Sequence, residues 1–158
     1  NNQLIKDFGN LFQRLFTLSK PIQSELNEYF NNNIQTIVLS NNNFMEELKE
    51  MTQTYAINKY KGLILSKCAY CNKELTDKKP WEKTVELDIK VQLIANLFVE
   101  LNQIMVLLHP IIPNKITELR KFLGWSDSIS NYKINITVEK IKSYLDGEVK
   151  TYDNYLQG

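Results

Sequence analysis

The sequence predicts an all-α protein, a bundle of about five helices. Three observations carry this. Apolar residues recur every three or four positions in several long segments, no strand pairs with alternating polarity stand out, and prolines fall between the periodic segments rather than inside them. With 158 residues, 43% hydrophobic and 23% charged, the chain can bury a sizeable core. Its net charge of +1 gives no global bias toward nucleic acid, so any such surface must be a local patch.

Leu4, Phe8, Leu11, Phe12 and Leu15 open the chain at helical spacing, and Pro21 interrupts that helix by restricting the residue before it. The asparagine runs in "NNNIQTIVLSNNN" read as loop ends around a short apolar piece. Asn43 then serves as a helix N-cap with Glu46 three residues on, as in a capping box. Helical character continues through Leu75, with a break expected near Lys61-Gly62. After Pro80-Trp81 comes the longest regular element. There Leu87, Val91, Ile94, Phe98, Leu101, Met105 and Leu108 form a packing seam. Asn96, Glu100, Asn102 and Gln103 within it argue against a membrane span. "HPIIPNKITELRKFLG" gives a proline-set turn and a short helix from about Pro113, stopped by Gly124. Residues 1–124 thus form the helical domain. Residues 125–158 form a less ordered tail with one helical stretch, "TVEKIKSYLDG", packing on the bundle or on another domain.

Little of this points to catalysis. One histidine, His109, stands beside Pro110 and reads as a helix-terminal residue rather than a base. No glycine-rich phosphate loop is present, and no catalytic residue is assigned. Cys68 and Cys71 form a lone C-x-x-C that lacks partners for a zinc site, so they read as core thiols and no metal is expected. So few cysteines fit a reducing compartment, and no signal peptide is visible; a cytoplasmic location is expected. The start at Asn1 suggests a piece of something longer.

Two features stand apart. Asn10 and Arg14 lie one turn apart, opposite the apolar arc of the first helix, with Lys6 and Gln13 beside them. They supply the donors and the acceptor needed to read base edges, although a plain polar face would look the same. Trp81 follows a helix break in a segment with seven lysines against three acids between Asn58 and Lys83. It could stack a splayed base while lysines meet phosphates, or it could plug a corner of the core.

Taken in order, "FGNLFQR", "CNKELTDKKPW" and "LLHPIIPNKITELRKFLG" resemble the helical anticodon-binding domain of the methionyl-tRNA synthetase family, a class I synthetase type. That family shows G-N-L-x-x-R on a first helix, an Asn eight residues before a Pro-Trp, and a leucine-rich helix ending in P-x-x-P and L-G. The resemblance covers Leu4 to about Gly124. Glu74 departs from it, where many members carry an aromatic. The resemblance implies that Asn10 and Arg14 contact anticodon bases, and that Trp81, placed by Pro80, stacks on the first base of a CAU anticodon. Gln13 would support them, with Lys6, Lys78 and Lys79 as candidate phosphate contacts. The implied partners are tRNA-Met and a catalytic domain of the same parent protein, with no membrane. HIGH-like and KMSKS-like motifs are absent, so ATP and methionine would be handled by that other domain, and no cofactor is assigned to this chain. Two other readings are an anticodon domain of a valyl, isoleucyl, leucyl or cysteinyl enzyme, and a helical scaffold for a protein partner.

Overall fold

A computed structural model describes residues 2–53 and 57–122. Six α-helices form a bundle there: α1 (Asn2–Ser19), α2 (Gln23–Asn32), α3 (Ile34–Gln53), α4 (Ile57–Lys78), α5 (Leu87–Leu108) and α6 (Pro113–Phe122). Among the described residues there is no strand, as the all-α reading requires. Gly124 and the segment from 125 to 158, with its expected helix, lie outside the described residues.

The α1 stripe packs as its spacing predicts. Leu4, Phe8, Leu11, Phe12 and Leu15 are buried, and Phe16 joins them. The rings of Phe8, Phe12 and Phe16 form a ladder one turn apart, with centroids separated by 6.1 and then 5.5 Å. Ser19 ends the helix by donating its hydroxyl to the Phe16 carbonyl at 2.8 Å. Pro21 then sits in a 3₁₀ turn, Lys20–Ile22, that leads into α2.

The asparagine runs depart from expectation. They are helical, and Asn33 alone breaks the chain between α2 and α3. Its amide Nδ2 donates to the Tyr29 carbonyl at 2.8 Å, satisfying the end of α2 within a single residue. The second run lies inside α3, so Asn43 is a mid-helix surface residue and not an N-cap. Asparagine is a mediocre helix former, but burial outweighs that preference here. Ile37, Asn41 and Phe44 share one inward face, and Asn41 accepts from Gln103 Nε2 of α5 at 3.2 Å.

α4 passes through Gly62 without the expected break, and buries Ile64, Cys68, Cys71 and Leu75. Against it, and against α1, α2, α3 and α6, lies α5. Val91, Ile94, Phe98, Leu101, Met105 and Leu108 of its seam are buried, whereas Leu87, in the first turn, is exposed. Among the described residues α5 is the one helix long and apolar enough to cross a membrane, but most of that stretch is buried inside the bundle. Its polar residues are cross-pins. Lys67 reaches both Glu100 (3.0 Å) and Gln103 (2.8 Å), and Arg120 of α6 donates to Asn102 at 2.7 Å. Tyr60 donates its hydroxyl to the Leu107 carbonyl. His109 closes α5 through its backbone N–H to Met105 and is exposed, a terminal residue as read.

A Cβ added at Gly62 would meet nothing within 4 Å, and the position is an exposed helix interior. Gly62→Ala should therefore raise unfolding free energy by roughly 1 kcal/mol, measured by denaturant titration. A loss of stability would mean that α4 does not run through this residue.

Candidate nucleic-acid interface

Burying the aromatic stripe of α1 fixes which face of that helix turns outward. Asp7, Asn10, Gln13 and Arg14 lie there, and they line one wall of an open groove of about 650 Å³. Asn72 of α4 contributes to the opposite side, and Trp81 stands at the same groove. The pair on the first helix and the tryptophan some 70 residues later, separate in sequence, are thus brought to one surface.

The placement of Trp81 follows from the way α4 ends. Lys79 adopts φ 45°, the left-handed conformation common just past a helix end, and its N–H still reaches the Leu75 carbonyl at 3.0 Å. The Glu82 N–H then bonds back to the Lys79 carbonyl at 3.0 Å, closing a turn with Pro80 at its second position. Pro80 is buried while Trp81 is 49% exposed. The proline is the anchor, and the indole stays out of the core.

Arg14 is held from two sides. Its Nη1 donates to Asn72 Oδ1 at 2.8 Å, and its Cζ lies 6.0 Å from the Trp81 ring centroid. Asn72 is itself fixed, since its Nδ2 donates to the Cys68 carbonyl at 3.0 Å. That bond sets the orientation of the amide and leaves its oxygen for the guanidinium. A contact of cation and ring at this distance is worth about 0.5–1 kcal/mol at an exposed site. Long side chains lose rotamer freedom on binding, and here Arg14 has given up part of it beforehand. Asn72 was not singled out as a site residue from the sequence; the available signal was its place eight residues before Pro80.

Asp7 and Arg14 are the two charged residues lining the groove, so its formal charge is balanced. Its walls offer amide donors and acceptors, a guanidinium and a carboxylate beside an aromatic face. Such an inventory suits the edges and faces of bases better than a row of phosphates. None of Lys6, Lys78 and Lys79 lines the groove. Lys78 pairs with Glu74 at 2.7 Å, one turn back on α4, and that hydrogen bond raises its pKa. Lys6 and Lys79 are exposed.

The two cysteines are buried, Cys68 1% and Cys71 0% exposed, and no group of metal-ligating side chains gathers among the described residues. Burial pushes both thiols up to about 12, helped by Asp7 at Cys68 and by Glu100 at Cys71. The folded chain therefore keeps these protons where the unfolded chain releases them. Their contribution to stability is intact below the ordinary thiol value of 9.0 and is lost as pH rises toward 12.

The chain is 29% identical over 140 residues to a methionine–tRNA ligase of Borrelia turicatae (strain 91E135), covering 83% of this chain and 18% of the relative. The same figures hold for the methionine–tRNA ligase of Borrelia duttonii (strain Ly). That of Methanococcoides burtonii is 24% identical over 144 residues, covering 90% of this chain and 21% of the relative. The chain thus resembles methionine–tRNA ligases along most of its length while spanning about a fifth of theirs, which fits a C-terminal domain of such a protein. No family model matches the chain, and no solved structure gives a significant match.

Two outcomes follow. Trp81→Ala should cost under about 1 kcal/mol of stability, whereas Phe98→Ala, at a fully buried position, should cost about 3–5 kcal/mol. Chemical denaturation of both variants checks this, and equal losses would make Trp81 a core residue. Denaturation midpoints of the unaltered chain should also fall between about pH 8 and about pH 11. A profile flat over that range would contradict burial of the thiols.

Proposed function

We propose that this chain is the anticodon-reading module of a methionine–tRNA ligase, with tRNA-Met and its CAU anticodon as the ligand. The observation that carries this is the convergence of Asn10, Arg14 and Trp81 on one groove, with the arginine already positioned. In this reading the indole of Trp81 stacks on the first anticodon base, and Asn10 and Arg14 hydrogen-bond base edges. Gln13 extends the polar wall, and Lys6, Lys78 and Lys79 meet phosphates of the flanking loop. The similarity to methionine–tRNA ligases supports the choice of tRNA over a protein partner. Aminoacylation, with ATP and methionine, belongs to the rest of such a protein, whose cytoplasmic location the chain would share.

The magnitudes are sufficient for discrimination. Stacking contributes about 1–3 kcal/mol per base, and each good base-edge pair about 1–3 kcal/mol against the wrong base. Together they separate CAU from other anticodons by a few powers of ten. The groove is balanced in charge and few phosphates are met, so the isolated chain should bind weakly.

A fluorescent anticodon stem-loop carrying CAU, titrated at low salt beside the same hairpin altered at its first anticodon base, tests the reading. Preference for CAU by the unaltered chain, lost in a Trp81→Ala variant that circular dichroism shows to be folded, is the expected result. Equal affinity of the unaltered chain for both hairpins would sink the proposal.

A further inference from the structure

Asp7 has no part in the recognition scheme above, yet it lines the same groove. It shares one stripe along α1 with Asn10 and Arg14, the three standing at i, i+3 and i+7, and it is the one carboxylate in the groove's lining. Among the described residues it accepts a single hydrogen bond, from Gln3 Nε2 to Oδ1 at 2.7 Å. That bond holds the carboxylate one turn above Gln3 and leaves Oδ2 for an outside donor. A carboxylate facing a nucleic-acid groove repels phosphates and accepts only from N–H or O–H groups. The base groups that satisfy it are exocyclic amines and imino N–H groups; a bare carbonyl edge is repelled.

Position selects among them. Trp81 lies against Arg14, and Asp7 stands seven residues away along the α1 axis, about 10 Å at 1.5 Å per residue. A base stacked on Trp81 beside Arg14 leaves Asp7 to the neighbouring nucleotide. We propose that Asp7 is a specificity-determining residue that accepts a hydrogen bond from the exocyclic N6 amine of the middle anticodon base, adenine in CAU. The inference rests on the anticodon reading of the groove and assigns one further base to one further side chain. It also accounts for an acid placed where a phosphate-tracking surface would carry a base.

Three hairpins decide it: CAU, the same loop with the middle adenine replaced by unsubstituted purine, which lacks the amine, and the loop altered at the first base. The unaltered chain should bind the purine hairpin roughly ten-fold or more weakly than CAU. Asp7→Ala, folded by circular dichroism, should bind those two hairpins within about two-fold of each other while keeping its preference at the first base. Asp7→Leu, close in size and without an acceptor, replaces the alanine variant if that one does not fold. An Asp7 variant that still separates adenine from purine as the unaltered chain does overturns the assignment, and so does one whose lost preference is at the first base. If the unaltered chain shows no preference at the first base either, the anticodon reading fails and this inference with it.

Discussion

The rest of the structure depends on α5 being apolar around most of its circumference. Such a helix is stable in water only when neighbours cover it, and here α1, α2, α3, α4 and α6 all pack against it. Each of them can present only its own apolar stripe to that centre. Once Phe8, Phe12 and Phe16 of α1 turn inward, its polar residues have one direction left. The groove wall is therefore a by-product of core burial, which gives it rigidity that a surface loop would lack.

The polar contacts to α5 tune this arrangement rather than drive it. Lys67, Glu100, Gln103 and Asn41 form a connected set across α3, α4 and α5, and Arg120 joins α6 to Asn102. Half-paired, such groups would be costly in the interior; paired, they fix the rotation and register of the helices around the centre. The same logic operates at the groove, where Asn72, anchored by donating to the Cys68 carbonyl of α4, presents its own Oδ1 as a fixed acceptor for Arg14. A site held this way has less freedom to lose when a ligand arrives.

Pro80 and Trp81 divide two tasks that single residues often combine. The buried proline anchors the turn after α4, and the left-handed Lys79 aims it. The indole is then kept half in water, against the usual tendency of large aromatics to pack inward. A groove that pairs such a face with amide edges is chemically matched to unpaired bases, and that match underlies the functional proposal.

The apolar spacing of α1 and α5 was legible in the sequence because periodicity is local: a residue and its neighbour one turn on share a face whatever the rest of the chain does. The turns at Pro21, Pro80 and Pro113 were legible for the same reason, since proline acts on its own backbone and the residue before it. The helicity of the asparagine runs was not, because Asn41 and its apolar neighbours are decided by what they meet on α5. Nor did the sequence show how Arg14 is oriented, for Asn72 stands 58 positions away and the two meet only across packed helices. Nor does the sequence set Asp7 apart, since one acid on a polar face becomes distinctive only beside the other groove residues. The sequence by itself determined where most of the helices run and which stripes they bury. Only the tertiary structure decided which polar faces confront one another, because that depends on the packing of distant stripes on a common core.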